Sequence, residues 1–432
     1  MLSNKRKMDI KLRANNRIDG LLQAPASKSD AHRALICSAI CGKGAKVSHV
    51  GNSIDVETTI EALGSLGAAF TRNGDTLCYT GWDDSQKDGE VNCRESGSTL
   101  RFLLPVCSAL GLTRTFVGQG RLPERPISVI IDEMRAHGVM ATGDKLPLTL
   151  SGVMAAGTYT IPGNISSQFI SGLLMALSNQ EGPSKVVIPG KLESAAYVDM
   201  TVDTLAYYDL KWQCTKSDIE TVYELSEDHE ATKEPLEYQV EGDWSGAAFP
   251  LVAGALGGHV IVDGLDSESR QGDKAVADII AMAGAKVTYL GNRRYEVIAP
   301  EAQLKAIDVD VSGIPDLFPI LAVLAAGAVG TSTFRNVARL RIKESDRVET
   351  VRQLLVSLGG SMTVEGDTVY VHGTGQLKGG IVDSFADHRI AMSGAVASLI
   401  CQDPVTVLGA ECCAKSYPDF FEDFERIGGH RQ

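Results

Sequence analysis

Six segments of this chain are almost wholly apolar after a short polar cluster, and they recur at a near-constant interval. They read SKSDAHRALICSAI, SGSTLRFLLPVCSAL, SSQFISGLLMALS, DWSGAAFPLVAGAL, PDLFPILAVLAAGA and DHRIAMSGAVASLI. Marked by Ser29, Ser98, Ser167, Ser245, Asp316 and Asp387, they lie 69, 69, 78, 71 and 71 residues apart. A helix lying on a surface keeps a polar face; segments that are apolar all round predict helices buried on most sides. A self-similar unit of this length, repeated six times, predicts an α/β chain built by internal repetition.

Between these segments a second, amphipathic helical pattern recurs, closing on Gly or a substitute and followed by a β-like run. The closures are Leu66-Gly67 before AAFT, His137-Gly138 before VMAT, Tyr208-Asp209 before LKWQ, Ala283-Gly284 before AKVT, Leu358-Gly359 before GSMTV, and Ile427-Gly428. Asp209 fits because Asp tolerates the left-handed conformation better than most non-glycine residues. The sixth copy has no strand after it, and the N-terminal run MDIKLRANNRI, residues 8–18, is expected to supply one. The chain then crosses twice between two lobes of three repeats each. The expected division is 21–238 for the N-terminal lobe and 1–20 plus 239–432 for the C-terminal lobe. The longest spacing and the acidic stretch Ser226 to Glu237 mark the boundary.

Charge narrows the function. The 41 Lys and Arg against 54 Asp and Glu leave a net charge of −13, which argues against a general nucleic-acid or anionic-membrane binder. An anion site must therefore be a local basic cluster. Lys28, Arg33, Arg101, Arg121, Arg125, Lys343, Arg347, Arg389 and Lys415 all fall at the apolar segments' starts or in nearby loops. Helix starts add free N–H groups and partial positive charge, so six of them turned to one cleft would trap anions. Asp316 and Glu344 lie inside these basic neighbourhoods, where each is either a proton carrier or a plain helix cap or ion-pair partner. The nine cysteines form no C-x-x-C pair and there is no H-E-x-x-H, so neither a disulfide framework nor a metal is expected. Nucleotide-binding glycine motifs are missing too. The longest apolar run, Ile320 to Val329, is too short to span a bilayer, and Met1 to Lys7 leads into no hydrophobic segment. A cytoplasmic location is the expectation.

Nine motifs in order, APASKSDAHRALI, ESGSTLRF, GRLPERPI, SSQFISGLLMA, EGDWSGAA, GIPDLFPILA, RLRIKESDRV, DHRIAM and AKSYPDFF, resemble those of the enolpyruvyl transferases over nearly the whole chain. The resemblance implies a two-lobed inverse α/β barrel, each lobe three βαβαββ repeats around buried parallel helices, with the active site in the interlobe cleft. It implies transfer of the enolpyruvyl group of phosphoenolpyruvate to the 5-hydroxyl of shikimate 3-phosphate, a step towards chorismate and the aromatic amino acids. It also implies no cofactor and a monomer. By motif, the shikimate 3-phosphate contacts are Lys28, Ser29, Arg33, Ser166, Ser167, Gln168, Ser194, Asp316 and Lys343. The phosphoenolpyruvate contacts are Lys28, Gly97, Arg125, Gln168, Arg347, Arg389 and Lys415, a pocket that glyphosate, a slightly longer anion, also enters. The catalytic set is Lys28, Asp316 and Glu344, with Glu344 donating the proton to the methylene carbon and Asp316 taking the hydroxyl proton. Glu95, Arg339 and Ala414 stand where relatives often carry Asn, Asn and Ser. Two alternatives remain: the branch acting on UDP-N-acetylglucosamine, whose loop carries a Cys that GQGRLPERP lacks, and an inactive anion-binding protein of the same fold.

Overall fold

The computed structural model describes residues 8–14, 17–41, 44–83, 89–226, 229–231 and 236–432. The run Met1 to Lys7 and part of the acidic stretch Ser226 to Glu237 thus lie outside the described residues. Twelve α-helices are found among them: α1 Lys28–Cys41, α2 Ile54–Leu66, α3 Gly97–Ala109, α4 Ser128–Ala136, α5 Ser167–Leu177, α6 Ala195–Tyr207, α7 Trp244–Gly257, α8 Val276–Met282, α9 Phe318–Ala326, α10 Arg347–Ser357, α11 His388–Ala397 and α12 Phe420–Arg426. The odd-numbered helices α1 to α11 are the six apolar segments. All nine residues of α9 and all ten of α11 are buried, and a fully buried Leu, Ile or Phe contributes about 1.5–3 kcal/mol, so these helices are core. The even-numbered helices end where the pattern predicts, on residues with positive φ: 118° at Gly67, 66° at Asp209 and 81° at Gly359, for example.

Among the described residues the strands form six sheets, five of which share one pairing scheme. In the second, Glu90–Asn92 runs parallel to Arg114–Val117, which pairs antiparallel with Leu148–Ser151, and that strand in turn with Met140–Ala141. Two short crossings through a helix and one return hairpin generate this order, first-second-fourth-third, in the sheets of the second to fifth repeats, the fifth with an additional strand at Asp308–Asp310; in the first repeat's sheet the outer strand is Glu237–Gln239, which comes later in the chain than the other three. The third repeat departs in detail: LKWQ is strand only from Gln213, because Leu210 and Trp212 turn inward and the Trp212 Nε1–H donates to Ser178 Oγ at 2.9 Å.

The chain divides into two compact units, residues 26–240 and residues 1–25 with 241–432. Strand pairing sets those limits a few residues from the sequence-based ones. Ile18–Gln23 is in parallel register with Gly258–Asp263 along its whole length, so 21–25 stay with the C-terminal unit. Glu237–Gln239 pairs with Lys46–Ser48 and stays with the N-terminal unit. Ile10–Leu12 does join the last sheet, antiparallel to Val405–Leu408. It takes the place of a fourth strand, and this sheet has three strands. Each unit has its own apolar core.

Candidate active site

In the C-terminal unit four helix starts converge on one arginine pair. Arg347, the first residue of α10, is completely buried, and its fork faces three carboxylates. Its Nε donates to Asp387 Oδ2 at 2.9 Å, one Nη to Asp387 Oδ1 at 3.3 Å and to Glu344 Oε2 at 2.8 Å, and the other Nη to Asp316 Oδ1 at 2.5 Å. Asp387 caps α11 by accepting the Arg389 N–H at 3.0 Å and also accepts the Ser345 hydroxyl at 2.9 Å. Arg389, second in α11, donates to the Asp316 carbonyl at 3.1 Å and to Ser245 Oγ, in the first turn of α7, at 2.7 Å. Lys343 Nζ lies 3.4 Å from Asp316 Oδ1. Lys415 donates to the carbonyl of Ala386, the residue before Asp387, at 3.1 Å.

The charges hold one another in unusual states. Burial opposes the charge on Arg347, but Asp387, Glu344 and Asp316 together outweigh it and keep the guanidinium protonated. Burial pushes Asp316 up, yet Lys343, Arg389 and Arg347 overcome it and hold the carboxyl well below the usual carboxylate range. Burial pulls Lys343 down to about 8, with Asp316 resisting and Arg339 and Arg347 adding to the fall. The cluster therefore offers an ionised carboxylate, a lysine that titrates near neutrality and two planar forks suited to carboxylate or phosphate.

The N-terminal unit carries a second basic cluster. Lys28 opens α1, and its Nζ donates to Asp55 Oδ2, in the first turn of α2, at 2.9 Å. Gly97 opens α3 behind Ser96, whose hydroxyl accepts the Thr99 N–H. A methyl carbon at Gly97 would lie 2.5 Å from Arg125 Nη1 and 3.2 Å from Arg101 Nη1, so both guanidiniums rest on this glycine. Arg101 Nη1 donates to Gln168 Oε1 at 2.9 Å, and Gln168 Nε2 to Ser98 Oγ at 2.7 Å. Ser166 caps α5 by accepting the Gln168 N–H at 3.3 Å, and Ser167 is the helix's first residue. Close packing of α3 and α5 needs Gly172, where an added methyl would meet the Arg101 carbonyl at 2.6 Å.

Two expected residues stand differently. Arg33 is buried, and its donors go to Thr201 Oγ1 at 2.7 Å, the Tyr197 carbonyl at 2.7 Å, the Ser29 carbonyl at 2.5 Å and Ser171 Oγ at 3.4 Å. Those bonds tie α1 to α5 and α6, and burial pulls this guanidinium down to about 10 despite Asp30. Ser194 caps α6 with φ 55°, a left-handed conformation that costs a serine about 1–2 kcal/mol and turns the chain sharply there. Arg121, one of the nine clustered cations, pairs only loosely with Glu124 at 3.4 Å, and both are exposed. Sequence reasoning assigned no role to Asp55 or to Asp387 as a charge partner. The N-cap position of Asp387 in DHRIAM was a usable signal, whereas nothing local marks Asp55 as the partner of a lysine 27 residues away.

Comparison with known proteins fits this geometry. The family model for EPSP synthase (3-phosphoshikimate 1-carboxyvinyltransferase) matches residues 12–424. The 3-phosphoshikimate 1-carboxyvinyltransferase of Clostridium kluyveri is 39% identical over 416 residues, covering 96% of both chains. That of Brachyspira hyodysenteriae is 38% identical over 413 residues, 95% of this chain and 97% of that one. Among solved structures, EPSP synthase from Acinetobacter baumannii superposes with a TM-score of 0.80 at 25% identity, over 99% of each chain. The enolpyruvyl transferase NikO from Streptomyces tendae shares the fold, with a TM-score of 0.76 at 16% identity over 99% of each chain. With a family model spanning nearly its whole length and relatives this similar, the chain belongs to the EPSP synthase family.

Proposed function

We propose that this protein transfers the enolpyruvyl group of phosphoenolpyruvate to the 5-hydroxyl of shikimate 3-phosphate and releases phosphate, on the route to chorismate and the aromatic amino acids. The observation that carries the reading is the Arg347 cluster, in which Asp316 and Glu344 each pair with a buried guanidinium beside Lys343 and Arg389. Both substrates are multiply anionic and repel each other, so cations have to neutralise them together. In this reading Lys343, Ser29, Arg33, Ser166, Ser167, Gln168, Ser194 and Asp316 serve shikimate 3-phosphate. Gly97, Arg125, Arg347, Arg389 and Lys415 serve phosphoenolpyruvate, Gln168 and Lys28 serve both, and Arg33 acts through the Ser29 carbonyl it holds.

Proton movement follows from the same charges. Asp316 is a weak base while Lys343, Arg389 and Arg347 press on it. When substrate anions draw those cations onto themselves, the carboxylate gains basicity and accepts the 5-hydroxyl proton as the oxygen attacks the enol carbon. Glu344 delivers a proton to the methylene carbon, giving a tetrahedral adduct with a methyl group; as the phosphate leaves, stabilised by Lys28, the same carboxylate takes a proton back from that methyl and the carbon–carbon double bond re-forms. The finer architecture, an inverse α/β barrel in each lobe, belongs to the same reading, as do a monomeric state and a cytoplasmic location. Among the described residues no helix is long and apolar enough to cross a membrane.

The test is phosphate release with phosphoenolpyruvate plus either shikimate 3-phosphate or UDP-N-acetylglucosamine, in excess chelator. Release is expected only with the shikimate substrate. Turnover with the UDP-sugar would assign the chain to the sister activity, loss of activity on chelation would demand a metal, and silence with both would mark an inactive protein.

A further inference from the structure

Helix α2 carries Asp55 and Thr59 one turn apart, and α1 presents Lys28 and His32 at the same spacing. The two pairs meet in register: Lys28 Nζ donates to Asp55 Oδ2 at 2.9 Å, and His32 Nδ1 lies 2.7 Å from Thr59 Oγ1. From Thr59 the contacts run on into α3. Thr59 Oγ1 is 2.6 Å from Thr99 Oγ1, and the Thr99 hydroxyl donates to Ser96 Oγ at 2.7 Å. His32, Thr59, Thr99 and Ser96 are all fully buried.

Counting protons fixes the direction of this chain. A hydroxyl has a single proton to donate. Thr99 uses its own on Ser96, so it accepts from Thr59; Thr59 has then given its proton away and accepts from His32. The imidazole must therefore carry its proton on Nδ1. Burial, reinforced by Lys28 and Arg33, drives His32 well below its ordinary range and keeps the ring neutral with one proton. Nε2 is left as a bare lone pair with no hydrogen-bond partner among the described residues, and the ring stands edge-on to Phe102 at 6.3 Å between centroids. The alternative tautomer would bury an unpaired N–H and leave two acceptors facing each other at 2.7 Å.

The far end of the chain is the N-cap of α3, and the next residue is Gly97, on which Arg125 and Arg101 rest. We infer that Thr59 is a positioning residue: its hydroxyl, relaying between His32 and Thr99, holds the first turns of α1 and α3 in one register and so fixes the Gly97–Arg125 surface, while Lys28 keeps its own tie to Asp55. Thr59 is fully buried and acts through those residues. The inference deepens the function proposed above and rests on it for the identity of the anion that this surface reads.

Thr59→Val keeps the shape and removes the relay, whereas Thr59→Ser keeps the hydroxyl. In Thr59→Val the phosphoenolpyruvate KM should rise on the order of 10-fold and the shikimate 3-phosphate KM by no more than about two-fold, with Thr59→Ser near wild type. Without substrates, nitrogen-15 NMR of the wild type should place the His32 proton on Nδ1, and the Gly97 amide resonance should move in Thr59→Val but not in Thr59→Ser. An Nε2–H tautomer, an unmoved Gly97 amide, or equal rises in both KM values with a fall in melting temperature would each overturn the inference. Should the wild type fail to turn over this substrate pair, the functional reading falls, and the two NMR measurements still decide the relay. Should Thr59→Val not fold, the wild-type tautomer and the Thr59→Ser kinetics decide it.

Discussion

Replacing Gly97 by alanine puts a methyl carbon 2.5 Å from Arg125 Nη1, where ordinary van der Waals contact starts at 3.4 Å. The backbone raises no objection, since Gly97 is not among the glycines with positive φ, and alanine is a better helix former. The yielding atom is the far end of a flexible side chain, so the fold should survive with a stability change within about 1 kcal/mol. What gives way is the guanidinium, by about 1 Å, the difference between those two distances. A charge-assisted hydrogen bond is worth about 1.5–3 kcal/mol, and losing roughly half of it would raise the phosphoenolpyruvate KM by about five-fold. A longer occupant has less room to follow the guanidinium and also meets the methyl itself, so glyphosate should lose on the order of 10²-fold in affinity through steric overlap. The assay is the ratio of the glyphosate inhibition constant to the phosphoenolpyruvate KM, measured in both proteins by phosphate release at saturating shikimate 3-phosphate. An unchanged ratio would mean that Gly97 does not line the anion pocket. An equal rise in the KM of both substrates would place the displaced Arg125 in a general structural role.

Three further outcomes are expected. Glu344→Gln keeps the side chain's size and its bond to Arg347 while removing the ionisable proton, so kcat should fall on the order of 10²-fold or more with little change in either KM; near-normal turnover removes the donor role. Lys343, pulled by burial to about 8, should lose its charge within the assay range, so the KM for shikimate 3-phosphate should climb as pH rises through about 8, and Lys343→Arg should flatten that climb; a flat wild-type profile would show that its charge is not used. On a sheet of the C-terminal unit His259 bonds to Asp19 at 2.9 Å and Glu296 at 3.2 Å, and these raise its pKa above 6.5, Asp19 foremost. A raised folded-state pKa stabilises below the unfolded value and fades as pH climbs past the folded one. Thermal melts of His259→Gln should therefore fall below wild type at pH 5.5 and converge with it at pH 9, and an equal deficit at both would assign the loss to packing.

What was legible in the sequence was whatever depends on periodicity. An all-round apolar pattern can only be satisfied by a helix in a core, and a helix that must turn back into a strand needs a left-handed residue, so α9, α11 and the closure at Asp209 followed from composition at fixed positions. Edges were less legible, because a strand belongs to the sheet that offers it partners: Ile18–Gln23 follows its register with Gly258–Asp263, which no local pattern in residues 18–25 records. The site divides along the same line. Lys28, Lys343, Arg347 and Arg389 were visible because cations at helix starts are conspicuous in a chain of net −13, and Asp316 and Glu344 because they lie among such cations. Their partners Asp55, Asp387 and Ser245 were not, since pairing across 27, 40 or 144 residues is a property of packing. Arg33 makes the same point from the other side. Its type reads as an anion fork, and the fold surrounds that fork with three neutral oxygens from neighbouring helices and a fourth from its own. An arginine's type fixes its charge and geometry, whereas the helices packed around it decide whether that fork faces a ligand or the core.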